Sequence, residues 1–230
     1  MLAIGLMLAA CGGAEKDTVT ISAASSLTEL AERLETELET LHPDIDIRLN
    51  FGGSAGLVAQ IRSGAPVDIL LAADELALPA DDPLALTAAP IATNELVLVT
   101  PPDSTAAAGD LGDDDLRIVA CDPAVPCGRA ADALLSSPDL APLDVQPDSR
   151  EPNVRLVRQR VLSGEADIGF VYITDTIDQP LRIIDLNSTA QTTVTAVQLT
   201  DSDASGRIMD ALLDGTTVPR LATDFGFGTP

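Results

Sequence analysis

Residues 18–73 read TVTISAASSLTELAERLETELETLHPDIDIRLNFGGSAGLVAQIRSGAPVDILLAA. Thr18–Ser22 is a short strand. Leu27, Leu30, Ala31, Leu34, Leu38 and Leu41 follow at helical spacing. His42-Pro43 stops that helix, because the residue before a proline is pushed out of the α region. Ile45–Phe51 alternates apolar and polar residues, the period of a second strand. Leu57–Arg62 is helical and is closed by Gly64 and Pro66. Val67–Ala73 is a nearly continuous apolar run, as a strand covered on both faces must be. This β-α-β-α-β order predicts an α/β fold on a parallel sheet with right-handed crossovers.

Downstream, Ala80–Thr87 reads as irregular chain and Glu95–Thr100 as a strand ended by Pro101-Pro102. Leu116–Cys121, Asp167–Tyr172, Arg182–Leu186 and Thr193–Leu199 read as strands. Gly128–Leu135, Asn153–Leu162, Ser205–Leu213 and Val218–Phe225 read as helices. The strands near Glu95 and Thr193 are where the chain is expected to cross between two lobes and return. That division gives 1–17 as a leader and tether, 18–94 with 200–230 as one lobe, and 95–199 as the other.

Upstream, the apolar run through Leu8-Ala9-Ala10-Cys11 has the pattern at which bacteria cleave a secretory signal and attach lipid to the new N-terminal Cys. The run is too short to span a bilayer, which takes about 20 apolar residues. Cys11 is therefore expected to be lipidated, with Gly12–Asp17 as a flexible tether and the folded part outside the cell on a membrane surface.

At 230 residues and 46% hydrophobic, the chain can bury a substantial core. Its aromatics are Phe51, Phe170, Tyr172, Phe225 and Phe227, too few for sites that stack sugars or single-stranded bases. A formal net charge of −23 argues against nucleic acid, whose phosphates are bound by basic patches. Cys121 and Cys127 are expected to pair in an oxidising compartment. A loop so small contributes only about 2 kcal/mol in the chain-entropy model, so local stiffness is its expected role. With no C-x-x-C and a single His, no metal held directly by the protein is expected.

Two hydroxyls stand out. Ser26-Leu27-Thr28-Glu29 has the form of a capping box, with Ser26 at the N-cap and Glu29 reaching back. A helix start after a parallel strand is also an anion site, because free N–H groups and the dipole converge there. Ser54 holds the equivalent place after the next strand, in Gly52-Gly53-Ser54-Ala55-Gly56, and open α/β sheets bind ligands at these strand ends. The same five residues match the G-x-S-x-G nucleophile elbow of a secreted serine hydrolase. That reading lacks a base: His42 precedes Ser54, and the intervening strand separates them by roughly 20 Å at about 3.3 Å per residue.

Ala23–Thr28, Gly52–Ile61 and Gly64–Ile69 resemble the first lobe of the molybdate-binding proteins of ABC transporters. Asp122–Arg129, Asn153-Val154-Arg155, Gly164–Tyr172 and Phe225-Gly226-Phe227 continue that resemblance in the family's order, over nearly all of the chain from Thr18 on. The resemblance implies a periplasmic-binding-protein type II-like fold, two α/β lobes joined by a two-strand hinge, with a tetrahedral oxyanion held between them. It implies hydroxyls and N–H groups from Ser26 and Ser54, backbone N–H groups from Cys127 and Val154, and the phenol of Tyr172. Three departures stand out: Cys127 where a small residue is common, Ala130 in place of a Tyr, and a return strand without a Pro-Tyr-type start. Tyr172 also reads as an ordinary core tyrosine. Arg129 and Arg155 read either as helix-surface charges or as supports behind the proposed donors. The expectation is a monomeric, lipid-anchored, non-enzymatic binding protein. It would take molybdate and tungstate to an ABC permease with no cofactor. The alternatives are another oxyanion such as sulfate, an organic acid or iron–anion complex, and the Ser54 hydrolase.

Overall fold

The computed structural model describes residues 16–230; Cys11 and the apolar run before it lie outside the described residues. The chain forms β1 (Asp17–Ala24), α1 (Thr28–Leu41), β2 (Ile45–Gly52), α2 (Ser54–Arg62) and β3 (Ile69–Ala72). A long β4 (Thr87–Thr100) leads to β5 (Ile118–Cys121), α3 (Pro126–Leu135), β6 (Ser149–Glu151), α4 (Val154–Leu162) and β7 (Ile168–Tyr172). β8 (Arg182–Ile184), β9 (Ala190–Gln198), α5 (Asp203–Leu212) and α6 (Thr217–Asp224) complete it.

The strand order is β2-β1-β3-β9-β4-β7-β5-β6, with β8 on β4. β1 is parallel to β2 and β3, and β5 is parallel to β6 and β7. The sheet is thus two parallel units joined through antiparallel β4 and β9, which pair along Thr87–Leu96 with a register shift between Pro90 and Ala92. Two main cores match the two units. One gathers Val19, Ile21, Leu34, Ile69, Ile208 and Leu221; the other gathers Leu98, Val119, Val157, Ile168 and Phe170. β4 and β9 serve both: Ala92 and Val194 pack in the first core, Leu98 and Ala190 in the second. This is the two-lobed α/β architecture with a two-strand hinge.

Most elements fall where periodicity puts them, and the differences have physical causes. β4 starts at Thr87 rather than Glu95, because the small residues Ala88, Ala89 and Pro90 carry no alternation yet pair with β9. β6 is Ser-Arg-Glu, a strand held by its pairing with β5 and without a hydrophobic pattern. α3 starts at Pro126, two residues earlier than Gly128, where a proline's fixed φ suits the first turn. The expected capping box does not form. Ser25–Leu27 is a 3-10 turn, α1 begins at Thr28, and neither start has a side-chain cap. Among the described residues no helix is long and apolar enough to cross a membrane, and no group of three or more His, Cys, Asp or Glu is placed to hold a metal.

Candidate functional site

Four helical starts converge where the two units face each other. In the first unit β1 runs into the Ser25–Leu27 turn and β2 into α2; Ala24 and Gly52 are register partners, so Ser26 and Ser54 each stand two residues past the same rung. In the second unit β5 runs into α3 and β6 into α4, while β7 ends at Tyr172. Ser26, Ser54, Cys127, Val154 and Tyr172 line one cavity, together with Ala24, Gly53, Ala73, Val125, Pro126, Pro152 and Asn153. Its empty volume, mouth included, is about 230 Å³.

Each backbone donor is free for a local reason. The first N–H groups of a helix have no intrahelical acceptor, and they carry the positive end of the dipole. Ser54 opens α2, Cys127 is second in α3 and Val154 opens α4. Asn153 caps α4 by accepting from Leu156 N at 3.1 Å, which leaves the Val154 N–H uncommitted by that cap. The Ser26 hydroxyl is not used as a cap, so the chemistry expected of Glu29 goes elsewhere: Glu29 pairs with Arg155 at 2.5 Å. Burial is the largest single influence and raises the Glu29 carboxyl, but the hydrogen bond and charge of Arg155, a backbone hydrogen bond and the charge of Arg158 together hold it below its ordinary value. Cys121 and Cys127 form a disulfide with Cα atoms 5.6 Å apart, tying the start of α3 to the end of β5. Arg150 donates to the Cys121 carbonyl at 3.0 Å and steadies the same loop.

The lining contains no carboxylate, no imidazole, no ammonium and no guanidinium. Tyr172 is 1% exposed and its hydroxyl has no hydrogen-bond partner. Burial pushes its phenol far up, so it stays a neutral donor. Thr192 Oγ1 lies near enough to ease that rise slightly, yet no hydrogen bond closes between the two hydroxyls. An orphaned buried hydroxyl costs about 1–3 kcal/mol, and a core tyrosine normally avoids it. Ser54 Oγ accepts from Ala73 N at a long 3.5 Å, so its own proton is available to the cavity. The hydrolase reading gains nothing from the geometry. His42 lies beyond the opposite end of β2 from Ser54, and its Nδ1 is 3.1 Å from Arg207.

Three features were not legible in the sequence. Gly53 lies against Pro152 of the other unit: a Cβ there would meet the Pro152 carbonyl at 2.6 Å. Arg129 and Arg155 both reach across the cleft, to Asp74 and to Glu29. Asp175, just past Tyr172, is 3% exposed with Oδ2 unpartnered and Oδ1 3.6 Å from Arg158. Burial pushes its carboxyl up to about 7 against the pull of Arg158 and Arg155.

A family model described as bacterial extracellular solute-binding protein matches residues 19–227. The molybdate-binding protein ModA of Mycobacterium tuberculosis (strain ATCC 25618 / H37Rv) is 27% identical over 215 residues, 90% of this chain and 77% of that protein. A putative ABC transporter substrate-binding lipoprotein of Bacillus subtilis (strain 168), YvgL, is 29% identical over 179 residues, 74% of this chain and 69% of that one. The solved substrate binding domain of a putative molybdenum ABC transporter from Clostridium difficile superposes with a TM-score of 0.70 at 26% identity, covering 94% of this chain and all of that one.

Proposed function

We propose that this chain, which belongs to the family of bacterial extracellular solute-binding proteins, captures molybdate in the cleft between its lobes and delivers it to an ABC importer. It binds its solute without turning it over. One observation carries the ligand reading: a cavity at four helical starts, lined by hydroxyl-bearing residues and without a charged side chain, whose lining includes the buried Tyr172 with its unpartnered hydroxyl. Neutral donors hold a dianion without the desolvation cost of a buried ion pair, and hydrogen bonds to a charged acceptor are about twice as strong as neutral ones. Such a lining suits a fully deprotonated tetrahedral oxyanion. Monohydrogen phosphate brings a proton that needs an acceptor, and leaving it unmet costs about 1–3 kcal/mol.

Under this reading Ser26 and Ser54 give hydroxyls and N–H groups, Cys127 and Val154 give N–H groups, and Tyr172 gives its phenol. Tungstate, also a tetrahedral dianion, is a second ligand. Residues 18–94 with 200–230 form one lobe and 95–199 the other, closing about β4 and β9 over the anion, and the closed form is what the permease recognises. The protein acts as a monomer anchored by lipid on Cys11; the Leu8–Cys11 pattern and the lipoprotein relative from Bacillus subtilis support that placement.

Titration calorimetry with molybdate, tungstate, sulfate and phosphate tests the proposal. Micromolar or tighter binding of molybdate and tungstate is expected, about −8 kcal/mol or better, with no heat from phosphate. Silence with molybdate and tungstate removes the ligand; preference for sulfate keeps the architecture and changes the cargo.

A further inference from the structure

We infer that Arg129 with Asp74, and Arg155 with Glu29 and the Ser25 carbonyl, are two latches that hold the lobes closed and set how fast the oxyanion leaves. This rests on the cleft being the binding site. Twelve ion pairs occur among the described residues, and ten join groups within one lobe. The two that cross are these, and each adjoins a lobe-2 lining residue of the cavity: Arg129 two residues past Cys127, Arg155 beside Val154. Their acceptors adjoin the lobe-1 half, since Asp74 follows the cavity residue Ala73 and Ser25 precedes Ser26.

Both arginines are tied at more than one atom. Arg129 Nε donates to Asp74 Oδ2 at 2.9 Å, its Nη2 donates to the same oxygen, and its Nη1 donates to the Ala124 carbonyl at 2.8 Å. Asp74 Oδ1 is fixed in turn by the Ala77 N–H at 2.8 Å. Arg155 Nε donates to the Ser25 carbonyl at 2.6 Å and its Nη2 to Glu29 at 2.5 Å. A lone exposed pair adds little; here the guanidinium fork spans a charged and a backbone acceptor, a geometry Lys cannot copy. Arg155, Ser25 and Glu29 lie within three residues of Val154 or Ser26, and Asp74 follows Ala73, whose N–H donates to Ser54 Oγ, so making the latches and assembling the donor set are one movement. The arginines are positioning residues: they act on the anion through Cys127, Val154 and Ser26 without touching it.

Stopped-flow binding of molybdate and tungstate to Asp74→Asn, Glu29→Gln, Arg129→Gln, Arg155→Gln and Arg155→Lys tests this. Dissociation should quicken about tenfold when an arginine is lost while association changes less than about threefold, the usual split for closely related complexes. Arg155→Lys should recover only part of the difference, and the Asp74→Asn, Glu29→Gln pair should reproduce most of it with little change in thermal midpoint. Unchanged dissociation in Asp74→Asn, Glu29→Gln overturns the latches even if the arginine variants do not fold. If the wild type binds neither anion, the ligand reading fails and the latches are judged on the ligand-free protein by small-angle scattering. The Asp74→Asn, Glu29→Gln form should then be more open than wild type, and equal radii of gyration overturn them.

Discussion

Tyr172 separates a binding role from a packing role by the signs of two measurements. Its hydroxyl is buried and unpartnered, so Tyr172→Phe removes an unmet polar group and should leave the ligand-free protein as stable as before, or more so by about 1 kcal/mol. Molybdate affinity should fall by about 1.5–3 kcal/mol, the worth of a hydrogen bond to a charged group, or roughly tenfold to a hundredfold by calorimetry. A core tyrosine with a satisfied hydroxyl gives the reverse: lost stability and unchanged affinity. Ser54→Ala should weaken binding by about 1–3 kcal/mol through the same loss of a donor, and an unchanged affinity removes Ser54 from the site. Asp175 makes a different prediction. Its folded carboxyl titrates at about 7 against an ordinary 3.8, so the native state holds that proton more tightly than the unfolded chain. The stability it supplies is full below pH ~4 and is lost as pH rises towards ~7, at most about 4 kcal/mol at 1.36 kcal/mol per pH unit. The charges facing it are Arg158 and Arg155 on α4 and Glu29 on α1. Asp175→Asn cannot ionise, so its thermal midpoint relative to wild type should climb between pH 4.5 and 7.5; a flat difference means that Asp175 ionises at an ordinary pH.

At the scale of elements, the starts at Ser26 and Ser54 were legible because each follows a strand marked by its hydrophobic pattern, whereas β6, which leads into Val154, carries no such mark. Cys127, Val154 and Tyr172 are implied by the resemblance of their motifs rather than by periodicity, and all five residues line one cavity. What failed was local grammar overruled by a distant partner. Glu29 is spaced to cap its own helix, yet it bonds an arginine 126 residues away, and Arg129 finds its aspartate 55 residues away. Nothing within a window of sequence encodes such pairs. Gly53 is the same kind of case: glycine before a helix reads as a turn, whereas the contact that demands it is Pro152 of the other lobe. A backbone carbonyl cannot give way as a side chain can. Gly53→Ala should therefore block full closure and weaken molybdate by tenfold or more, with little change in the thermal midpoint of the ligand-free form. An affinity equal to wild type means that the lobes do not need to approach so closely. The Cys121–Cys127 bridge stiffens the α3 start, where Gly128 also packs directly on the Asp122 carbonyl.

The whole molecule opposes its own cargo. A net charge of −23 repels a dianion, and the cleft answers only at short range, with dipoles and with arginines already paired to carboxylates. Repulsion over the whole surface acts beyond the cavity until salt screens it: the Debye length shrinks from ~30 Å at 0.01 M ionic strength to ~8 Å at 0.15 M. Association with molybdate should accordingly quicken across that range, contrary to proteins that steer ligands by opposite charge. The latches move the other rate. Screening loosens Arg155–Glu29, whose carboxylate is more than half exposed, so dissociation should quicken too, and the equilibrium constant should change less than either rate. Stopped-flow traces over a sodium chloride series resolve the two. If association instead slows as salt is added, the mouth of the open cleft is locally positive, and Arg129 and Arg155, unpaired when the lobes part, are the charges that make it so.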